Sequence, residues 1–340
     1  MRSYIKSLNI ERWIYPNSSG LYCSAGNFYI DPHRPVAHCV VTHGHADHAR
    51  TGHGHVIATP ETVRIMKIRM GKNSAECFTQ LEYGERYQIG GTEIQLVPSG
   101  HILGSAQVVI DHQGQRVVVS GDYKRTYDPT CLPFKLVCCD VFVTEATFGL
   151  PVFRHEPAEK EIARLLNSML EEPDRTYLIG VYGLGKCQRV ITLLRQAGYE
   201  RPVWLHSALK AMCDLYTEFN INLGQYYLAS NAEGKLEGEL ILCPPSALNS
   251  RWSRRFNNPV IGLASGWMRV RGRARQRGVE LPLVISDHAD WYELIQTIRE
   301  TCANNVWVTH GREEALIRQL KLMGINGRAL HIIGREEGNE

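Results

Sequence analysis

The feature that most constrains this chain is the run Thr42-His-Gly-His-Ala-Asp-His48. It follows Val36-Ala-His-Cys-Val-Val41, an apolar, β-branched stretch opened by Pro35, which reads as a buried strand. The cluster therefore sits past the carboxyl end of a strand, where α/β folds tend to gather ligands. His43 and His45 are two apart, so an extended backbone points both the same way. Asp47 and His48 are adjacent and point differently if the chain turns after Ala46. One short loop can then present two imidazoles to one cation, and a carboxylate with an imidazole to another. Imidazole nitrogen and carboxylate without thiolate suit Zn²⁺ or a comparable divalent ion. The competing reading is a His-rich surface tract, which a lone histidine would favour. Four potential ligands with a glycine at the turn, directly after a buried strand, favour the metal site.

The 340 residues are 44% apolar and 21% charged, enough for one large domain or two ordinary ones. No stretch reaches the roughly 18 apolar residues of a membrane span. The first eleven residues lack the apolar core of a signal peptide. The ten cysteines are scattered, only Cys138 and Cys139 are adjacent, and no CxxC pair occurs. A cysteine zinc site and a disulfide framework are both disfavoured; reduced thiols and a cytoplasmic enzyme are expected. The net charge of +3 names no partner, so its distribution matters more.

The first half reads as short strands over 21–24, 27–31, 55–60, 92–97, 107–112, 116–120 and 141–144, with one helix over 61–70 and a hairpin turn over 111–115. After residue 150 the pattern alternates: helix 158–171, strand 177–181, helix 186–196, strand 203–206, helix 209–219, strand 239–243. Such alternation predicts βαβ units and a parallel sheet. Near residue 285 it shifts again, to helix 291–301, strand 305–309, helix 313–323 and strand 330–333. The expected organisation is an α/β module over 151–284 inserted into a fold made from 1–150 and 285–340.

Further candidate ligands stand at strand ends. His101 follows Val97-Pro-Ser-Gly100, Asp122 follows Val117-Val-Val-Ser-Gly121, and Glu145 ends Val141-Phe-Val-Thr144. His310 ends Asn305-Val-Trp-Val-Thr309, and His288 lies in Ser286-Asp-His-Ala-Asp290 after an apolar stretch. Any one of them alone reads as a turn cap. Five beside the first cluster point to a common site.

From Arg251 to Arg277 there are eight arginines and no acidic residue: Arg251, Arg254, Arg255, Arg269, Arg271, Arg273, Arg275 and Arg277. Trp252, Phe256 and Trp267 are interleaved. Arginine forks suit phosphates and aromatic rings stack on unpaired bases; a merely solvated basic face would carry compensating acids. Gly183-Leu-Gly-Lys-Cys-Gln188 falls between a predicted strand and helix, so its N–H groups and Lys186 are candidates to hold a phosphate. It is not a Walker A loop, because the lysine spacing is wrong and no Ser or Thr follows. Lys124 and Arg125, just after Asp122, read equally as backbone-phosphate contacts and as ordinary surface charge.

The run at 42–48 resembles the HxHxDH signature of the metallo-β-lactamase fold. Gly100-His-Ile-Leu-Gly-Ser-Ala106, Ser120-Gly-Asp-Tyr123, Thr144-Glu-Ala-Thr147, Ser286-Asp-His-Ala-Asp290 and Thr309-His-Gly311 resemble, in order, the remaining motifs of its β-CASP branch of nucleases. The compact length, the 183–188 segment and Ala264-Ser-Gly-Trp-Met268 are most similar to bacterial ligase-associated DNA exonucleases. The resemblance implies an α/β fold, a metallo-β-lactamase αββα sandwich with an inserted α/β β-CASP domain. It implies two divalent metal ions, Zn or Mn. His43, His45 and His101 would hold one, Asp47, His48 and His310 the other, with Asp122 bridging and Asp31 as a structural neighbour. It also implies a DNA exonuclease of repair, with a DNA ligase and a helicase as partners and no membrane.

Two ions so placed would supply a hydroxide nucleophile and neutralise phosphate charge. His288 would protonate the leaving 3′ oxygen, oriented by Glu145, unless the pair simply ties two domains together. Ser105, Gly183, Gly185, Lys186, Ser265 and Gly266 would form an anion pocket reading a terminal 5′ phosphate, with Arg269, Arg271 and Arg273 on the backbone. DNA-repair members in eukaryotes usually lack a histidine at the position of His310, whereas RNA-processing members have one, so an RNA-processing nuclease is the alternative. A metallohydrolase of small esters, thioesters or lactams is disfavoured by the arginine segment. An inactive binding subunit is disfavoured because no ligand position is replaced.

Overall fold

The structure, a computed structural model, describes residues 10–330. Residues 1–9 of the stretch read for a signal peptide, and 331–333 of the last expected strand, lie outside them. The chain forms two compact units: one from the residues up to Phe153 and again from His288 onward, the other from Arg154–Asp287.

The first unit opens with β1 (Ile14–Asn17), β2 (Gly20–Cys23), β3 (Phe28–Ile30), β4 (His38–Val40), β5 (His53–Ala58), α1 (Pro60–Met70), β6 (Ala75–Gln80), β7 (Arg86–Ile89), β8 (Thr92–Pro98), β9 (Ala106–His112), β10 (Gln115–Val119) and β11 (Val141–Ala146). The second unit contains α2 (Ala158–Glu171), β12 (Tyr177–Gly180), α3 (Lys186–Gln196), β13 (Val203–Leu205), α4 (Ser207–Glu218), β14 (Tyr226–Leu228), β15 (Leu240–Cys243), β16 (Val260–Ala264), α5 (Arg271–Gln276) and β17 (Leu281–Leu283). The chain then returns through α6 (Trp291–Glu300), β18 (Asn305–Gly311), α7 (Glu313–Leu322) and β19 (Asn326–Ala329) to complete the first unit.

Two sheets make the first unit, in the orders β1-β2-β3-β4-β5-β6 and β19-β18-β11-β10-β9-β8-β7. Strand periodicity explains how they pack. In β10 and β11, Val117, Val119, Val141 and Val143 enter one core cluster, while Val118 and Phe142, on the opposite face, enter another. The first cluster also takes Leu21, Phe28, Ile30, Val40 and Ile57, so the two sheets share it. The second is closed by Leu294 and Ile298 of α6 and Leu316 and Leu320 of α7. On the outer face of the other sheet, Cys39, Val56 and Ala58 pack with Val63 and Met66 of α1. Strands covered on both faces read as continuous apolar runs, which is how β10 and β11 look.

Register positions the chemistry. β10, β11 and β18 are mutually parallel, with Val119 beside Val143 and Val143 beside Trp307. Their carboxyl ends therefore lie side by side, with Glu145 and His310 in the last residues of β11 and β18 and Asp122 just beyond β10. The 111–115 turn is a two-residue hairpin loop, with Gln113 and Gly114 both at positive φ and Gln115 paired with His112.

The second unit carries a parallel sheet in the order β14-β13-β15-β12-β16-β17. Its central strands β12 and β15 are buried at every position. Strands β16 and β17 are not evident in the sequence pattern: Gly262 interrupts one and Pro282 the other. Among the described residues, no helix is long and apolar enough to cross a membrane.

Helix α6, which follows His288, begins with a capping box: Asp290 accepts from the N–H groups of Tyr292 and Glu293, and Glu293 accepts from Asp290 N–H. Glu293 also accepts from the Thr126 N–H and hydroxyl, both at 2.7 Å, and lies 3.8 Å from Lys124 Nζ. Burial alone would raise the Glu293 carboxyl, but Lys124 and the hydrogen bonds from Thr126 and Asp290 outweigh it and hold it below its ordinary value of 4.5. A depressed carboxylate stabilises the fold above its ordinary value and loses that contribution as pH falls through the folded-state value. Glu293→Gln should therefore cost about 1–2 kcal/mol at pH 7, with a smaller gap from the parent chain at pH 3, measured by chemical denaturation. An equal gap at both pH values would contradict this account of Glu293.

Candidate metal centre

The loop after β4 is shaped by its own backbone and by α1. The N–H groups of His48 and Ala49 both donate to His45 O, so the chain coils as soon as His45 has been presented. A Cβ at Gly44 would lie 2.4 Å from Ile65 of α1, so only glycine lets the loop approach the helix this closely. Arg69, on the same helix, donates to Gly44 O.

Behind the loop, Asp31 sits at the end of β3 with a positive φ of 44°. Its carboxylate accepts the Thr42 N–H and hydroxyl, both at 2.7 Å, and faces His48 Nδ1 at 2.7 Å. That contact fixes the His48 ring and directs Nε2 toward Asp122 and Asp47, at 3.4 and 3.6 Å.

The strand-end residues converge. His43 Nε2 and His101 Nε2 lie 3.4 and 3.7 Å from Asp122 Oδ2, and 3.1 and 3.0 Å from His45 Nδ1. Among the described residues, three groups each offer ligand atoms within 4.8 Å of one another: His43, His45, His101 and Asp122; Asp47, His48 and Asp122; Asp122, Glu145 and His288. Asp122 belongs to all three. Gly121 makes its placement possible, being left-handed at φ 56° and so close to Thr42 that a Cβ would fall 2.8 Å from it.

Burial, reinforced by neighbouring His48, lowers the His43 imidazole to about 4. His101 is held well below its usual value by burial, then by His288, His43 and His45. For Asp122, burial would raise the carboxyl, but His48 and His43 outweigh it and keep it ionised. His43 and His101 are thus neutral imidazoles facing an ionised Asp122. Donor atoms on a tetrahedron about 2.1 Å from an ion stand about 3.4 Å apart. The contacts among His43, His45, His101 and Asp122 bracket that spacing, so these residues fit a divalent cation.

Glu145 and His288 form the adjoining pair. Glu145 accepts from the Tyr123 N–H at 2.7 Å and the Thr147 hydroxyl at 2.6 Å, and faces His288 Nδ1 at 2.9 Å. The His288 ring stands 4.6 Å from the His101 ring. His310, also left-handed at φ 60°, has its ring 6.3 Å from that of His48 and is in none of the three groups. Thr42, Arg69, Tyr123 and Thr147 were not singled out from sequence. Thr147 is the detectable one, two residues beyond Glu145 in the turn that follows β11.

The expected anion pocket needs correction on its side chains. Ser105 is buried, and its hydroxyl accepts from the N–H groups of His101 and Ile102, so it shapes the His101 loop. Lys124 is buried, 3.5 Å from His288 O and near Glu293. Lys186 is buried, 3.0 Å from both Asp287 Oδ2 and Ile285 O. The Gly185 N–H donates to Gln188 Oε1, and Gln188 Nε2 donates to Gly183 O, closing that loop on itself. The Ser265 hydroxyl accepts from Trp267 N–H and caps the short helix that begins at Gly266. By contrast, Arg269, Arg271 and Arg275 are exposed, and Arg273 stacks 3.9 Å over Trp267.

The shared position of Asp122 makes a direct prediction. Purified parent chain should carry divalent metal by elemental mass spectrometry, and Asp122→Ala should lose at least half of it with its thermal unfolding still cooperative. Unchanged metal content in a folded Asp122→Ala chain would remove Asp122 from the centre.

No protein-family model matches the chain. Among known proteins, it is 26% identical over 323 residues to a probable DNA ligase of Opitutus terrae, covering 94% of this chain and 31% of the ligase. It is 25% identical over 249 residues to endoribonuclease YSH1 of Gibberella zeae, covering 59% of this chain and 30% of that protein. The chain therefore spans about a third of the length of these relatives. A crystal structure of a protein of unknown function from Enterococcus faecalis superposes with a TM-score of 0.57 at 14% identity, covering 90% of this chain and 81% of the other, a likeness of fold alone. With the ordered motifs and the geometry at Asp122, these likenesses make the chain a relative of the β-CASP metallo-β-lactamase-fold nucleases.

Proposed function

We propose that the chain is a two-metal-dependent nuclease that hydrolyses phosphodiester bonds, acting as a DNA exonuclease in repair. The observation that carries the reading is Asp122, common to two groups of ligand atoms, with the Glu145–His288 pair beside it. On this reading His43, His45 and His101 hold one divalent ion, Zn or Mn. Asp47, His48 and His310 hold a second, and Asp122 serves both. When bound, such ions supply Lewis-acid neutralisation of the phosphate and a nucleophile at neutral pH. The chain's own residues do the rest. Asp31 sets the His48 ring, and Ser105 sets the turn that presents His101. Glu145 holds His288 by Nδ1, so the proton delivered to the leaving 3′ oxygen comes from Nε2.

The four contacting layers of the first unit support an αββα sandwich, with residues 151–284 as the inserted β-CASP domain. In that insertion the exposed arginines are the nucleic-acid surface. Arg255 lies 4.9 and 4.7 Å over the rings of Trp252 and Phe256, and Arg273 lies over Trp267. A guanidinium stacked on a ring keeps its N–H edge outward, ready for a phosphate.

Likeness over nearly the whole chain to a probable DNA ligase favours DNA, and with it a ligase, and by family resemblance a helicase, as working partners in the cytoplasm. RNA processing is the second reading, favoured by the endoribonuclease likeness and by the presence of His310.

The deciding assay uses end-labelled single- and double-stranded DNA, matched RNA and closed single-stranded circles, each with Mn²⁺ or Zn²⁺. DNA cut from an end with circles spared is expected. Preferential cutting of RNA would select the second reading, and comparable cutting of circles would reject exonuclease action. Replacing Arg269, Arg271, Arg273 and Arg275 together should weaken nucleic-acid binding. It should also flatten the log–log salt dependence by roughly 0.7–0.9 for each phosphate no longer neutralised. An unchanged slope would return them to an ordinary solvated face.

A further inference from the structure

Between Asp122 and β11 the chain runs as a strap along α6, and both lie in the first unit. The Ala289 N–H donates to Tyr123 O at 2.6 Å, and the Thr126 N–H and hydroxyl donate to Glu293. Arg125 reaches the Thr297 hydroxyl at 3.3 Å and Glu300 Oε2 at 2.6 Å. At the far end the Cys139 N–H donates to Thr301 O at 3.0 Å. Here the two segments carry one exposed cysteine each, Cys138 and Cys302. Both thiols donate to the same carbonyl, Glu300 O, at 3.9 and 3.6 Å.

Backbones joined by an N–H···O bond lie about 5 Å apart, within the Cα separation a disulfide spans. Two thiols sharing one acceptor need only side-chain rotation to meet. Cys302 takes its position from a left-handed backbone, φ 56°, where the chain leaves α6. Its thiol is raised by the charge and hydrogen bond of Cys138, a second sign that the two sulfurs face each other. Neighbouring Cys139 does not compete, because burial pushes its thiol up to about 12. Cys77 is exposed too, but it lies on β6.

We propose that Cys138 and Cys302 form a reversible disulfide that fastens the strap carrying Asp122 onto helix α6. With a low-molecular-weight disulfide as oxidant, one protein thiolate attacks a sulfur of the oxidant, forming a mixed disulfide and expelling one thiolate. The second protein thiolate attacks the protein sulfur of that mixed disulfide and expels the other. Two cysteine thiols are oxidised to one disulfide, the oxidant is reduced to two thiols, and the two protein protons pass to the expelled thiolates.

The test exposes the full chain to oxidised glutathione, quenches with an alkylating agent, and maps peptides without reduction. A peptide pair joined through Cys138 and Cys302, two hydrogens lighter than the separate peptides, is the expected result, with Cys77 carrying a glutathione adduct. The melting temperature should rise, amide exchange over residues 124–139 should slow, and reductant should reverse both. Cys138→Ser and Cys302→Ser should each carry a glutathione adduct on the remaining thiol and show neither change. Separate glutathione adducts on Cys138 and Cys302, a Cys138–Cys139 link, or free thiols at 138 and 302 while Cys77 is modified would each overturn the proposal.

Discussion

A buried carboxylate among close-packed imidazoles, two of which burial keeps in the neutral form, is the constraint on which the first unit depends. Asp122 is 3% exposed, and Nε2 atoms of His43, His48 and His101 lie within 3.7 Å of its Oδ2. An isolated buried charge costs several kcal/mol or more unless it is paired. Burial holds the His43 and His101 rings neutral, so their lone pairs are available to a divalent cation that would also pair with Asp122. Much of the local backbone can be read as meeting that demand. Gly121 and His310 adopt left-handed conformations at strand ends, Gly44 lies against α1, and Thr42 joins the loop to Asp31.

The same logic extends one layer outward. Asp31 and Glu145 play parallel parts: each takes a backbone N–H and a hydroxyl and faces the Nδ1 of one histidine. Both histidines thereby turn in a set direction, and each carboxylate spends its remaining acceptor sites on nearby threonines and main chain. Such an arrangement holds the rings at a fixed geometry before any ion or substrate arrives. In the second unit, basic groups divide into two kinds. Lys186 and Arg189 are buried against Asp287, whereas most of the arginines between 251 and 277 stay at the surface or stack on aromatic rings.

What the sequence by itself determined was local in origin. An apolar run, a small residue, and then a ligand-capable side chain marked His101, Asp122, Glu145, His310 and His288 as candidates, because strand period and turn chemistry act over a few residues. Helices at 158–171 and 186–196 were legible for the same reason, through their apolar periodicity and flanking turns. Short strands such as β16 escaped because a glycine breaks the run, and only neighbours on both sides make it a strand. Tertiary structure alone decided which polar side chains were already engaged. Lys186 meets Asp287 across about a hundred residues of chain, and Ser105 turns inward to His101. It also brought Asp122 beside the Glu145–His288 pair, since the parallel register of β10 and β11 brings their carboxyl ends together. The physical reason is that hydrogen-bond and ion-pair commitments depend on which strand ends become neighbours, and residue spacing along the chain does not encode that.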